Sequence, residues 1–463
     1  MRPPTVYDRP QVVPTSEIRN RVQDILEVLA DFKSRREPGR SRSEYIERLQ
    51  LDIAELHGYI PELVEMFVDH FGPTEALEYI EASEKHRPLV IRVNTLKARR
   101  KDLAASLLKR GVNLDPLAPW SKVGLKIYDS PIPIGATPEY LAGHYMLQSA
   151  SSMCPVIALN AGIKERVLDM SAAPGGKTSY MAQLMKNTGI VVANDLRPDR
   201  QKATMGNLSR LGVRNAVVCH HDGRKLGSKM KNYFDKVLLD SPCSGLGVIS
   251  RDPSVKFQRT IKDVLRTVVL QKELILSAID ALKNGGFLVY STCSVCIHEN
   301  EEVVNYLMSK RDVKIVDAGL DFGKPGFTRY KHRRFHPSME LTRRFYPHVH
   351  NMDGFYVAKI QKLSSRIPGD GEQAKEAEQR HEEVAEMQLD DDDGNDEEED
   401  MPQVAEAEQK VKSATKTDAQ KKPNKKGKKP TKTSKPNKQV IAQKKKTNAK
   451  VTKPRRTKAV APC

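Results

Sequence analysis

The chain has 463 residues, 77 Lys and Arg against 59 Asp and Glu for a net charge of +18, and six cysteines. That length suits two or three domains, and the cysteines lack the dense, regular spacing of a disulfide scaffold. Met1-Arg-Pro-Pro-Thr-Val leads into polar sequence rather than a secretory apolar run, no stretch approaches the roughly 18 to 20 apolar residues of a bilayer span, and Cys463 lacks the three residues that follow a prenylated cysteine. The thiols are therefore expected to be reduced, in the cytosol or nucleus, with no membrane partner.

The charge is unevenly placed. Residues 410–463 carry 20 Lys or Arg against one acid, and residues 371–409 carry 17 acids against two bases. The remaining 1–370 hold 55 bases and 41 acids, so the body is basic without its tail. A basic body points to a polyanionic partner, nucleic acid first.

In chain order, residues 1–14 read as Pro-rich and extended. Ile18, Val22, Ile25, Leu26, Leu29 and Phe32 have helical spacing with Ser16 as N-cap. A second helix is expected from Ser43 to Leu56 and two shorter ones within 60–83. Leu89 to Asn94 reads as a strand, Lys101 to Arg110 as a helix, and short strands are expected around Leu125 to Tyr128. From about residue 140 the pattern alternates: strand 166–170, loop and helix 175–185, strand 190–194, helix 198–211, strand 216–219, strand 236–240, helix 261–282, strand 287–290, helix 299–308. Such alternation implies an α/β, Rossmann-like doubly wound, mostly parallel sheet. Met352 to Lys359 is expected to add a final edge strand. Beyond about Lys362 charge blocks replace apolar residues, and disorder is expected. The expected division is 1–85 helical, 86–140 a small α+β RNA-binding subdomain, 141–362 the main α/β domain, and 363–463 a disordered tail, acidic and then Lys-rich.

Two cysteines stand just past strand-like runs, Cys243 in Asp240-Ser-Pro-Cys243 and Cys293 in Thr292-Cys293-Ser. Ligands of open α/β sheets bind outside the carboxyl ends of strands, so both thiols are expected at one crevice, where thiolates serve covalent catalysis; buried small hydrophobes are the alternative. The first strand of the large domain leads into Ser171, Ala172, Ala173, Pro174, Gly175, Gly176, Lys177 and Thr178. Glycines there let backbone amides approach a ligand at a helix N-terminus. Gly176-Lys177-Thr178 fits the last positions of a P-loop, but Ser171 stands where its leading glycine is needed.

Asp195 ends the next strand, 20 residues after Gly175, where an acid holds ribose hydroxyls in nucleotide-binding sheets; capping of the helix at Pro198 is the other reading. Loop plus acid suggest an adenosine-containing cofactor held without a polyphosphate, with S-adenosylmethionine the candidate. Asp222 and Asp240 follow the third and fourth strands at the same end. Cys293-Ser-Val-Cys296 has the bare spacing of a redox or zinc pair, but no second pair exists, so no metal is expected. Arg333, Arg334, His336, Arg343, Arg344, His348 and His350, interleaved with Phe335, Phe345 and Tyr346, form a set able to hold phosphates and stack bases; His350 also reads as a core histidine. Lys421 to Lys429 and Lys453-Pro-Arg-Arg456 read as nuclear or nucleolar targeting.

Ser171 to Lys177, Asp240-Ser-Pro-Cys-Ser-Gly-Leu-Gly-Val248 and Tyr290-Ser-Thr-Cys-Ser294 together resemble the Nol/Nop/Sun family of RNA cytosine-5 methyltransferases. The resemblance runs from about Ser41 to Lys359 and includes Arg92-Val-Asn-Thr95. It is strongest to the nucleolar branch acting on large-subunit ribosomal RNA. It implies a class I methyltransferase fold, S-adenosylmethionine as cofactor, and pre-60S ribosomal RNA as partner of a monomeric nucleolar enzyme. It further implies Cys293 as the nucleophile at cytosine C6 and Cys243 as the group that helps remove the C5 proton and release the enzyme. Residues 171–177, Asp195, Asp222 and Asp240 match the family's cofactor-binding positions, Arg200 less closely.

Thiolate addition at C6 makes C5 enamine-like, and the adduct must then lose the C5 proton and the thiol, hence a second group. Asp240 and Lys177 are expected at the amidine edge of the base, and a base in a helix would have to flip out to reach them. Ser171, Ser241 and Leu246 depart from the family's usual cysteine, alanine and small polar residue, and Leu246 is expected to add bulk beside the Cys243 loop. The branch's long acidic N-terminal extension has no counterpart here. An assembly scaffold with dispensable catalysis and a transfer RNA methyltransferase remain as alternatives.

Overall fold

The computed structural model describes residues 14–367. The expectations for the tail from 368 onward, and for all but the last residue of the extended N-terminal stretch, lie outside the described residues.

Four long helices come first, Thr15–Ala30, Arg42–His57, Pro61–Phe71 and Pro73–Glu84, with a single turn, Phe32–Arg35, after the first. The second is started by a capping box, in which the Ser41 side chain accepts from Glu44 N while Glu44 reaches back to the Ser41 amide. In the first, Pro14 holds the cap position with no side-chain bond, so the expected Ser16 cap is instead a first-turn residue. Pro61 and Pro73 open the third and fourth helices at the position where a missing N–H costs nothing.

A small antiparallel sheet follows, made of β1 Leu89–Val93, β2 Asn113–Pro116, β3 Gly124–Asp129 and β4 Tyr145–Leu147, in the order β2-β3-β1-β4. The helix Arg100–Lys109 buries Leu103 and Leu107 against it.

The large sheet contains β5 Arg166–Asp169, β6 Ile190–Asn194, β7 Ala216–Cys219, β8 Phe234–Asp240 and β9 Leu282–Thr292, all parallel neighbours in the order β7-β6-β5-β8-β9. Apart from the edge strand β7, where Val217 is half exposed, burial of these strands explains their continuous apolar runs. The order reverses between β5 and β8, and a crevice opens at such a switch point beyond the strand carboxyl ends. A capping box, Thr260 with Asp263, starts the long helix Ile261–Ala281.

The remaining strands are β10 Val313–Val316, β11 Lys324–Pro325, the separate hairpin β12 Arg329–Tyr330 and β13 Arg333–Arg334, β14 Arg343–Phe345 and β15 Phe355–Lys362. The expected final edge strand is an interior one. β15 lies antiparallel between β9 and β14 and also pairs with β10, so this half of the sheet is antiparallel. Its burial is nearly continuous rather than alternating, with Phe355 to Ala358 and Ile360 inside.

The helical region is fastened to the sheet through the Cys243 loop. Leu246, fully buried, packs in the apolar cluster that holds Phe67 and Tyr79, and Tyr79 donates its hydroxyl to the Leu246 carbonyl at 2.5 Å. The bulk expected to crowd the loop is therefore spent as an anchor in the helical layer.

Candidate active site

β5 delivers Asp169 to the start of the glycine loop. Asp169 is fully buried, and burial pushes its carboxyl up to about 7 although Thr178 Oγ1 donates to it at 2.6 Å. Gly175 takes φ 91° just before the helix Gly176–Leu184, a conformation that costs other residues dearly. The loop is braced from β6: Ala172 N donates to Asn194 O at 2.7 Å, and Ala173 N to Asp195 Oδ2 at 3.2 Å. Asp195 also accepts from Arg197 N at 3.1 Å, while the helix beginning at Pro198 has no side-chain cap. Arg200 donates to Ala173 O at 3.1 Å and its guanidinium lies 3.5 Å from Asp195. Asp222, past β7, caps the turn Gly223–Lys225 and pairs with Arg224, which holds its carboxyl below the usual range.

Register places the two thiols. Asp240 of β8 is the partner of Ser291 of β9, so the segments that follow run side by side, and Ser241 N donates to Ser291 O at 2.8 Å. Cys243 Sγ and Cys293 Sγ are 3.1 Å apart, both partly exposed. Gly247 N donates to Cys293 O, and Gly354 N, at the mouth of β15, to Gly247 O, both at 2.8 Å. A Cβ on Gly247 would collide with the carbonyls of Gly354 and Cys293, so only glycine allows the three segments to close. The Cys243 thiol is raised well above its ordinary value by its hydrogen bond to Cys293, then by burial, then by the charges of Cys293 and Glu299.

Lys177 Nζ donates to Asp240 Oδ2 at 2.6 Å, and Ser291 Oγ to Asp240 Oδ1 at 2.8 Å. Burial would pull the lysine down, but Asp240, with help from Asp169 and Cys293, holds it above its ordinary value. Lys177 is thus held charged beside Asp240. A cleft of 540 Å³ opens here, with Ser171 to Pro174, Gly176, Lys177 and Asp240 on one wall and Arg87, Gln148 and Arg251 on the other. Gly175, Asp195, Asp222 and the two thiols lie outside its lining.

The walls are joined by Arg92 of β1, which is 1% exposed. It donates to Gly176 O and Gln148 Oε1, each at 2.5 Å, and to Ser179 Oγ at 2.7 Å. With no carboxylate among these partners, burial lowers it to about 9. The site also holds residues that sequence reasoning missed: Ser291, Arg87, Arg251, and the buried Glu299, which accepts from Ser244 N at 2.7 Å. In a chain where 29% of residues are charged, no spacing singled out Glu299.

The basic and aromatic set at 333–350 is corrected by the structure. Arg344 is 1% exposed and forms a two-pronged pair with the fully buried Glu301, at 2.6 Å on each side. Phe335, Phe345 and Tyr346 are buried. His350 Nδ1 accepts from Tyr346 N at 3.0 Å, and His348 bonds Glu75 of the helical region at 3.0 Å. Arg333 pairs with Glu302. Of the set, Arg334 and His336 remain exposed. β14 runs beside the buried β15, so Arg344 and Phe345 lie in the core with Glu301 supplying the countercharge, while Arg343 stays half-buried. Among the described residues no cluster of His, Cys, Asp and Glu has metal-binding geometry, and no helix is long and apolar enough to cross a membrane.

A switch-point crevice with a glycine loop on one side and strand-end thiols on the other is the layout of an α/β methyltransferase. Residues 156–361 match the family described as 16S rRNA methyltransferase RsmB/F, and residues 62–134 match the ferredoxin-like domain of RsmF/B-like methyltransferases. The chain belongs to this family.

It is 58% identical over 355 residues to the human 28S rRNA (cytosine(4447)-C(5))-methyltransferase, covering 76% of this chain and 44% of the human protein. The chain thus spans about half the length of its human relative. It is 42% identical over 277 residues to the tRNA (cytosine(49)-C(5))-methyltransferase of Pyrococcus abyssi, covering 59% of this chain and 87% of that one. A crystal structure of a methyltransferase homologue from Pyrococcus horikoshii superposes with TM-score 0.62 at 40% identity, covering 68% of this chain and 99% of that one.

Proposed function

We propose that the protein transfers a methyl group from S-adenosylmethionine to C5 of a cytosine in large-subunit ribosomal RNA, in the nucleolus during large-subunit assembly. The observation that carries this reading is the pair of thiols 3.1 Å apart beside the Lys177–Asp240 ion pair. The high identity to a 28S rRNA cytosine-C5 enzyme supports the substrate.

The glycine loop fits the cofactor. Its positive-φ turn, the helix N-terminus at Gly176 and the buried Asp195 at the end of β6 form a cradle for an adenosine-bearing group. Residues 171–177, Asp195, Asp222 and Asp240 would hold it. When bound, S-adenosylmethionine supplies an electrophilic methyl on sulfonium.

Cys293 adds through sulfur to cytosine C6. Asp240, already fixed by Lys177 and Ser291, presents its carboxylate to the amidine edge of the base, and Lys177 offsets charge there. Cys243 keeps its proton while Cys293 is free. Once Cys293 is a thioether, the hydrogen bond that most raises Cys243 is lost, and Cys243 gives its proton to solvent. Its thiolate then takes the C5 proton as the C5–C6 double bond re-forms, the C6–S bond breaks and Cys293 leaves as a thiolate. On this reading residues 86–140 form the RNA-binding subdomain and residues 141–362 the methyltransferase domain.

A second reading, methylation of transfer RNA, is motivated by the archaeal relative, of which the chain covers 87%. The test is methyl incorporation into precursor ribosomal RNA and into transfer RNA by wild type and Cys293→Ala. Ribosomal RNA methylation lost in Cys293→Ala is the expected result. Methylation of transfer RNA alone would overturn the substrate, and activity retained by Cys293→Ala would overturn the nucleophile.

A further inference from the structure

Between the thiol loops and the long helix lies a buried carboxylate to which the chemistry above gives no task. Glu299 has no exposed surface. Its Oε1 accepts from Ser244 N at 2.7 Å and from Gln271 Nε2 at 3.3 Å, and its Oε2 accepts from Ser244 Oγ at 2.6 Å. Gln271, from the helix Ile261–Ala281, also donates to Pro242 O at 2.8 Å. The Glu299 carbonyl accepts from the buried Tyr290 hydroxyl at 2.6 Å. Ser244 follows Cys243, and its hydroxyl lies 3.2 Å from the hydroxyl of Ser294, which follows Cys293. The links through Pro242, Ser244 and Ser294 each end one residue from a thiol.

We propose that Glu299 is a positioning residue for the two thiols: its carboxylate clamps the Cys243 loop onto the Cys293 loop and fixes which sulfur keeps the proton. The clamp accounts for the approach of Cys243 to Cys293. A negative group behind Cys243 disfavours a second thiolate there, so Cys243 remains the donor and Cys293 the nucleophile. The electrostatics agree in direction, since the charge of Glu299 is among the causes that raise Cys243. Burial raises Glu299 itself, opposed by donors from Ser244, Ser294 and Gln271, all of which favour an ionised carboxylate. The titratable groups facing Glu299 are Cys243, Cys296 and Tyr290, and burial raises the last two.

The assignment of roles to the thiols rests on the proposed chemistry, but the position and charge of Glu299 do not. The test is therefore alkylation of the full chain by iodoacetamide from pH 6 to 10, with each cysteine quantified by peptide mass spectrometry, which needs no RNA and no cofactor. In wild type, Cys293 is labelled first and Cys243 only at higher pH.

Glu299→Gln keeps the shape, because its carbonyl can serve Ser244 N and Gln271 while the Ser244 hydroxyl turns to accept from the amide. It removes the charge, so Cys243 labels about threefold to tenfold faster at a fixed pH, a shift of up to about one pH unit. Ser244→Ala is the second variant; it removes the hydroxyl's bonds to Glu299 and Ser294 but keeps the Ser244 amide bond and the charge, and it keeps the labelling order.

In turnover, Glu299→Gln lowers kcat by about tenfold or more with KM for RNA and cofactor unchanged, since Glu299 touches neither. An unchanged labelling order and unchanged kcat in Glu299→Gln would overturn the proposal, as would a loss seen only in unfolding midpoint. If no RNA is methylated but labelling shifts as described, the positioning role stands and the reaction assignment falls.

Discussion

Arg344 decides between two readings of the segment 333–350, because a phosphate-binding arginine and a core arginine respond oppositely to substitution. Replacing it by Met keeps the length and apolar body of the side chain but leaves Glu301, fully buried, with the Phe327 amide at 3.1 Å as its remaining donor among the bonds described. The variant also removes the donor bonded to the Val295 carbonyl at 2.9 Å and to the Tyr346 hydroxyl at 3.0 Å, leaving the latter with His70. Breaking one side of a buried pair costs about 3–5 kcal/mol, a large part of the ~5–15 kcal/mol that keeps a domain folded. At about 1.4 kcal/mol per decade, the folded-to-unfolded ratio falls by roughly a hundredfold to a few thousandfold.

Urea unfolding followed by fluorescence reads this as a lower midpoint at constant slope. Arg344→Met with Glu301→Gln removes both charges and is expected to be clearly more stable than Arg344→Met alone. The reasoning is refuted if Arg344→Met unfolds like wild type while RNA binding weakens and its salt dependence becomes shallower, the signature of a lost phosphate contact.

Cys243→Ala is expected to accumulate a covalent protein–RNA adduct under turnover, visible as a band that survives denaturing electrophoresis; clean turnover by the variant would remove Cys243 from release. Asp195→Ala is expected to raise the KM for S-adenosylmethionine about tenfold or more, by loss of one or two charge-assisted hydrogen bonds, with little change in RNA binding; an unchanged KM would place the cofactor elsewhere. Asp169, raised to about 7, gives a pH prediction. Its folded-state value lies above the unfolded one, so the advantage it gives the folded state is complete below about pH 4 and is lost as pH rises through about 7. Wild type should therefore lose up to a few kcal/mol relative to Asp169→Asn between pH 4 and 8, and a difference in urea midpoint that stays flat across that range would show the carboxyl to be ionised throughout.

What the sequence makes legible is what repeats or breaks a pattern. The apolar runs at Val167–Leu168, Val191–Ala193 and Val237–Leu239 announce buried parallel strands, and the glycine loop, Asp195 and Asp240 announce the end of the sheet where chemistry belongs. Cys243 and Cys293 could be placed at one crevice because both follow such runs. Pairing and burial are less legible because they depend on partners distant in sequence. β15 looked like an edge because nothing local says that β14 will lie beyond it, and Arg344 looked exposed because its partner Glu301 is 43 residues away. Glu299 reads as the start of a polar helix; its value lies in accepting from Ser244, 55 residues earlier.

The same distance effects explain why the two thiols need the whole fold behind them. Cys293 is held from three sides: Gly247 bonds its carbonyl, Cys243 its sulfur, and the register of β9 against β8 fixes its height above Asp240. Gly247 in turn is gripped by Gly354 of the strand mouth, and Leu246 by Tyr79 of the N-terminal helices. Arg92 carries the small sheet onto the helix that presents Lys177. A 3.1 Å thiol separation is thus set by contacts reaching from residue 79 to residue 354. A substitution in the helical layer that loosens Leu246, such as Tyr79→Phe, acts on the Cys243 loop without touching either sulfur.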